Sequence, residues 1–181
     1  MSLKQDLKFH NTLFLDRDGT INRRIVNGYV GSEDNFEFLP GVLEALYKAN
    51  TRFEHIFIVT NQQGIGKEII TEEEVRQVHQ YMMTQIVKNG GRIDQIYVCP
   101  HLSVFNPLCR KPNPGMAIQA QEDFPEIDFA SSIMVGDADS DIEFGNNLGM
   151  YTVQVRENHH PLVSEPDTVV NSLLEFMNMV V

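Results

Sequence analysis

The sequence predicts a doubly wound parallel α/β sheet, on three observations. Short apolar runs alternate with helical stretches along the chain, which implies parallel strands joined by right-handed crossovers. The runs at residues 12–15 and 55–59 show little alternation, as expected of strands covered on both faces. Polar clusters follow these runs directly, and ligands in open α/β sheets bind beyond the carboxyl ends of the strands.

Taken in order, the strand Thr12–Leu15 stops at Asp16 and Asp18, with Gly19 and Thr20 behind them. Asp-Gly-Thr on its own also reads as a turn, since Asp and Gly both favour turns. Residues 22–38 are polar, aromatic and punctuated by Asn27-Gly28-Tyr29. That is long for a plain connection, so a substrate-shaping flap is expected, with a surface excursion as the alternative. Pro40-Gly41 opens a helix over residues 42–48, with Val42, Leu43, Leu46 and Tyr47 as its apolar stripe. The second strand, 55–59, ends at Thr60-Asn61-Gln62-Gln63-Gly64. Thr71 with Glu74 three residues on forms a capping box for a helix ending near Asn89-Gly90-Gly91. His79 reads as a surface or boundary residue of that helix.

Residues 96–99 form the third strand, and 100–113 an irregular loop carrying His101, Cys109, Arg110 and Lys111. Pro114-Gly115 precedes a helix to about Asp123. The fourth strand, 133–135, runs into Gly136-Asp137-Ala138-Asp139-Ser140-Asp141, and a helix from about Ser140 to Leu148 stops at Gly149. Tyr151–Val155 is the fifth strand. The tail carries His159 and His160 as loop residues and an amphipathic helix from near Ser172.

A length of 181 residues, 42% hydrophobic and 22% charged, suits one globular domain, and neither a repeat nor a linker interrupts it. A net charge of −11 argues against a nucleic-acid or anionic-membrane partner, which needs a basic face. The chain contains neither an apolar run of membrane-spanning length nor a leader-like N-terminus. Two cysteines do not make a disulfide framework, and a cytoplasmic monomer is expected.

The clusters Asp16/Asp18, Thr60/Asn61, Arg110/Lys111 and Asp137/Asp141 converge on one sheet edge. Carboxylates gathered there repel unless a cation sits among them, and an oxygen-only donor set favours Mg²⁺. Lysine and arginine beside a hydroxyl and an amide make a phosphate cradle. Together with a carboxylate nucleophile, this is equipment for phosphoryl transfer through an aspartyl-phosphate.

These four motifs, in this order from about Phe14 to Val155, resemble the haloacid dehalogenase superfamily of phosphatases. The resemblance implies a Rossmann-like, cap-less fold with loop insertions. Asp16 would be the nucleophile, Asp18 the general acid and base, and Thr60 and Lys111 the phosphoryl ligands. Asp16, the Asp18 carbonyl and Asp137 would hold Mg²⁺. Asp141 would orient Lys111 or metal-bound water, or merely sit in the first turn of its helix. The wording Asn27-Gly28-Tyr29-Val30, Asn35-Phe36-Glu37-Phe38, Cys99-Pro100-His101 and Arg110-Lys111-Pro112 is similar to the heptose 1,7-bisphosphate phosphatases. Histidinol-phosphate phosphatase domains are near relatives. A small phosphorylated sugar is the substrate this implies, touched by Asn27, Gly28, Tyr29, Asn61, Gln62, Gln63 and Arg110. Relatives carry structural zinc on a Cys-x-His and a Cys-x-Cys pair. Here Cys99, His101 and Cys109 match, but Pro107 stands in the fourth position; since structural zinc takes four protein ligands, this implies a degenerate site, with structural Zn²⁺ completed by water or a nearby group as the alternative. A receiver-type signalling module also combines Asp, Mg²⁺, Thr and Lys, but a long-lived phospho-Asp has no use for Asp18 as a base.

Overall fold

A computed structural model describes residues 7–156 and 163–181; His159 and His160 lie outside the described residues. Six parallel strands form one sheet in the order β3-β2-β1-β4-β5-β6. They are β1 (Thr12–Leu15), β2 (His55–Asn61), β3 (Gln95–Cys99), β4 (Ser132–Gly136), β5 (Tyr151–Val155) and β6 (Thr168–Val170). The chain reverses its winding at the central strand β1, which pairs β2 on one side and β4 on the other. A crevice opens at such a switch point.

The helices are α1 (Val42–Arg52), α2 (Gln63–Gly66), α3 (Glu72–Lys88), α4 (Gly115–Asp123), α5 (Asp139–Leu148) and α6 (Leu173–Val180). Period-two alternation sorts the strand residues between two cores. Leu13, Leu15, Ile56, Ile58, Val135 and Val153 pack with α1, α3 and α6. Phe14, Phe57, Val59 and Met134 pack on the other face with Met116, Ala117 and Ala120 of α4 and Phe144 of α5.

The capping box at Thr71 forms as expected: Glu74 N–H donates to Thr71 Oγ1, and Thr71 N–H donates to Glu74 Oε2. Ser172 Oγ caps α6 by accepting from Glu175 N–H. Two elements depart from expectation. β2 continues through Thr60 and Asn61, which pair with Val98 and Cys99 of β3, so both residues are positioned by the sheet. β6 was not anticipated, because three residues are too few to display a period. Among the described residues, no helix is long and apolar enough to cross a membrane.

Candidate active site

β1 ends at Asp16, whose N–H donates to Val135 O of β4 at 2.9 Å, so the sheet itself fixes the start of the site. Lys111 arrives from the loop after β3. Its Nζ lies 2.7 Å from Asp16 Oδ1 and 2.7 Å from Asp141 Oδ1, and all three side chains are buried. The register of that loop is set by Asn61. Its Nδ2 donates to Lys111 O, and its Oδ1 accepts from Lys111 N–H, both at 3.1 Å. Asp141 also accepts from Ala138 N–H at 3.0 Å. Asp141 thus sits in the first turn of α5 with its carboxylate against Lys111.

Two glycines permit the crowding. A Cβ on Gly19, whose φ is +99°, would strike the Asp137 carboxylate, and one on Gly136 would strike Asp141. Asp16, Asp137 and Asp141 thus bring carboxylate oxygens within 4.8 Å of one another. Burial, partly offset by Lys111 and reinforced by Asp141 and Asp18, pushes Asp16 up to about 6. Burial with Asp16 and Asp141 nearby pushes Asp137 up to about 8. Burial works against the Lys111 charge, but Asp141 and Asp16 outweigh it and hold its pKa above the ordinary value. Lys111 and Arg24 together bring two positive charges to these three carboxylates, so further positive charge is what the cluster demands. An all-oxygen donor set of this size, completed by the Asp18 carbonyl, fits a hard divalent cation such as Mg²⁺.

Asp18 is treated oppositely. Arg17 Nη2 donates to both of its oxygens at 2.9 Å, Asn22 Nδ2 to Oδ1 at 2.9 Å and Gln62 Nε2 to Oδ2 at 2.8 Å. Burial alone would raise its pKa, but Arg17 and these hydrogen bonds overcome it and hold the carboxyl below its ordinary value. Arg17 is fully buried, and its Nη1 lies 2.9 Å from His79 Nε2. A guanidinium can only donate, so the ring nitrogen accepts. Burial, then the Arg17 charge, pushes His79 down to about 3. His79 is therefore a buried member of this network rather than a surface residue.

A cavity of about 510 Å³ lies over the cluster, within the usual range for small-molecule sites. Among its lining residues are Asp16, Asp18, Asn27, Gly28, Tyr29, Asn61, Gln63, Arg110 and Lys111. The expected flap thus forms one wall. Gly64 makes room for it, since a Cβ there would sit 2.7 Å from the Tyr29 ring. Three expected residues do not line the cavity: Asp137, which stands behind Arg24, Gln62 and Thr60. Gln62 is buried, its amide donating to Asp18 and to Thr60 Oγ1 at 2.8 Å. Thr60 is buried beneath it. Sequence reasoning missed Arg24 and Lys67, both on the wall. Arg24 falls in the flap next to the expected contacts, but a lone arginine in a polar loop carries no pattern.

The cysteines also depart from expectation. Cys99, at the end of β3, and Cys109 are joined as a disulfide with their Cα atoms 5.3 Å apart, while His101 is exposed. A short hydrophobic strand end returning on a ten-residue separation brings the two together without a framework of other cysteines. Among the described residues, the sole group of three or more metal-ligating side chains is Asp16, Asp137 and Asp141.

An aspartate-rich edge of a parallel sheet, with a buried lysine bridging two of its carboxylates, is the outfit of a haloacid dehalogenase-type hydrolase. A HAD-hydrolase-like family model matches residues 108–176. The D-glycero-alpha-D-manno-heptose-1,7-bisphosphate 7-phosphatase of Mycobacterium bovis is 40% identical over 136 residues, covering 75% of this chain and 72% of the relative. The D-glycero-beta-D-manno-heptose-1,7-bisphosphate 7-phosphatase of Yersinia pestis is 36% identical over 174 residues, covering 90% and 91%. The D,D-heptose 1,7-bisphosphate phosphatase of B. bronchiseptica, solved in complex with magnesium and phosphate, superposes with a TM-score of 0.83 at 26% identity, covering 93% and 96%. The chain belongs to this phosphatase family of HAD-like hydrolases.

Proposed function

We propose that the chain hydrolyses a heptose 1,7-bisphosphate, releasing the 7-phosphate through an aspartyl-phosphate on Asp16. The observation that carries this is the Asp16–Lys111–Asp141 triad at the floor of a cavity whose wall is cationic. With Oδ1 engaged by Lys111, attack on phosphorus falls to Asp16 Oδ2, and the bond to the sugar oxygen breaks. Lys111 stays beside the entering phosphoryl oxygens and offsets their charge, while the buried Thr60 acts through Gln62, whose amide donates to both Thr60 Oγ1 and Asp18. Asp18 gives a proton to the leaving sugar oxygen and then takes one from the water that attacks the phospho-enzyme. In its present hydrogen bonds Asp18 is the carboxylate, ready for the second of these steps. For the first step Asp18 has to carry a proton. Mg²⁺ held by Asp16, Asp137 and the Asp18 carbonyl would neutralise charge on the transferring phosphoryl group.

The second phosphate finds its partner in Arg110. Its Nη1 is buried in the protein yet has no hydrogen-bond partner among the described residues, and the side chain lines the cavity. Arginine is suited to bind phosphate through paired N–H groups. Lys67 and Arg24 add positive charge on the same wall. A cationic substrate such as histidinol phosphate meets the wrong sign there. The flap acids Glu33, Asp34 and Glu37 do not line the cavity, and Glu37 is paired with Arg23.

The test is phosphate release with Mg²⁺ from the α- and β-heptose bisphosphates and from histidinol phosphate, with Asp16→Asn as blank. Preference for a heptose bisphosphate, lost in Asp16→Asn, is expected. Preference for histidinol phosphate would overturn the substrate, and undiminished turnover by Asp16→Asn would overturn the mechanism.

A further inference from the structure

Arg24 belongs to no element of the catalytic assignment above, yet its guanidinium reaches into the carboxylate cluster. Nη2 donates to the Asp18 carbonyl at 2.8 Å and to Asp137 Oδ1 at 2.7 Å, and Nε adds a longer contact to the same carbonyl at 3.2 Å. These are two of the three oxygen donors assigned to the divalent cation. Three cations face the four carboxylates around them, one charge short. Lys111 bridges Asp16 and Asp141, Arg17 faces Asp18, and Asp137 has Arg24.

The chain on either side of Arg24 permits movement of this side chain alone. Behind it the flap is pinned: Arg23 N–H donates to Glu37 O at 2.8 Å, Asn22 pairs with Phe38, and Asn22 Nδ2 holds Asp18. Ahead of it, Val26 is exposed and Asn27 turns the chain at φ 57°. The Arg24 side chain is itself 48% exposed and lines the cavity.

We infer, building on the metal site proposed above, that Arg24 is an internal competitor of the divalent cation, which displaces it into the cavity to meet the anionic substrate. Magnesium lies about 2.1 Å from its oxygens. A guanidinium bridging the same two oxygens would face it as a like charge a few ångströms away. Exchange removes that repulsion and leaves the four carboxylates matched by Lys111, Arg17 and a dication. The freed guanidinium then offsets charge that the phosphorylated substrate brings in. Without metal, Arg24 keeps Asp137 compensated. Metal loading and substrate binding are thereby linked through one side chain, which makes the loaded site more cationic on its wall than the unloaded one.

The experiment measures Mn²⁺ binding directly, by the loss of the free-ion electron paramagnetic resonance signal, in substrate-free parent, Arg24→Ala, Arg24→Gln and Asp137→Asn. Both Arg24 variants are expected to bind Mn²⁺ about two- to fivefold more tightly than the parent, the effect of removing a half-exposed competing ion pair. In the same variants, KM for the bisphosphate should rise at saturating metal. Tighter metal with weaker substrate is a signature that general damage to the site does not produce. Equal or weaker Mn²⁺ binding by both Arg24 variants, with binding lost in Asp137→Asn, overturns the inference and leaves the metal site standing. Unchanged binding in Asp137→Asn overturns the metal site and the inference with it.

Discussion

The floor and the wall of the cavity are built on different principles. On the floor, Asp16, Lys111 and Asp141 are buried, short-bonded and fixed by strand ends and the start of α5. On the wall, Arg24, Asn27 and Lys67 are exposed and sit on loops or a short helical turn, with only the guanidinium tip of Arg110 buried and unpartnered. In a buried group, removing one ion leaves its partner uncompensated in a poor solvent, so the penalty is structural as well as chemical. On an exposed wall the same change is absorbed by water. Reaction type should therefore fail with the floor, and choice of substrate with the wall.

The largest effect expected is Asp16→Asn, which removes the nucleophile while keeping the shape. Turnover should fall by about 10⁴-fold or more in single-turnover phosphate release; a drop under tenfold would break the comparison at its strongest point. Lys111→Met leaves two buried carboxylates without their cation. It should cost about 3–5 kcal/mol of stability by urea denaturation, where the same truncation at Lys67 should cost next to nothing. Arg110→Ala sharpens the contrast from the other side. A hydrogen-bonded charge at a phosphate contributes about 1.5–3 kcal/mol. So kcat/KM for the bisphosphate should fall about 10- to 100-fold, while a simple monophosphate ester, with no second phosphate to lose, is cleaved as before.

The smallest effect is read in pH. His79 has its pKa pushed from 6.5 down to about 3 in the folded chain. Below pH 6.5 the unfolded chain therefore takes up a proton that the folded chain refuses. Stability falls by about 1.4 kcal/mol per pH unit from that point until the folded pKa is reached. His79→Gln, which keeps an acceptor for Arg17, should lose about 2 kcal/mol less than the parent between pH 7 and pH 5. Equal losses in urea midpoints would show that His79 does not titrate in this way.

What could be read in advance follows the same division. Strand ends announce themselves, because a short apolar run stopping at Asp16 or Asp137 places the carboxylate by the geometry of the sheet. The capping box at Thr71 and the stop at Gly149, whose φ is 73°, are equally local. Gln62 was misassigned because its position next to Asn61 says nothing about which way a side chain turns at the end of β2. Here it turns inward, to Asp18 and Thr60. His79 lies on α3, 62 residues from Arg17, and helical spacing does not reveal a contact made across the fold. The pairing of Cys99 with Cys109 depended on how the loop before Lys111 closes, which spacing alone leaves open. Arg24 was missed because its partner, Asp137, is 113 residues away.

The ion pair between Asp16 and Lys111 joins residues 95 positions apart. A ribosome adding about 5–20 residues per second exposes Asp16 for several seconds before Lys111 exists. During that interval β1 has neither β4 beside it nor the lysine that makes its terminal carboxylate tolerable in the interior, so the central strand cannot settle early. The catalytic floor is thus completed only once β4 and Asp141 have followed Lys111. A newly made chain acquires its chemistry together with its final packing.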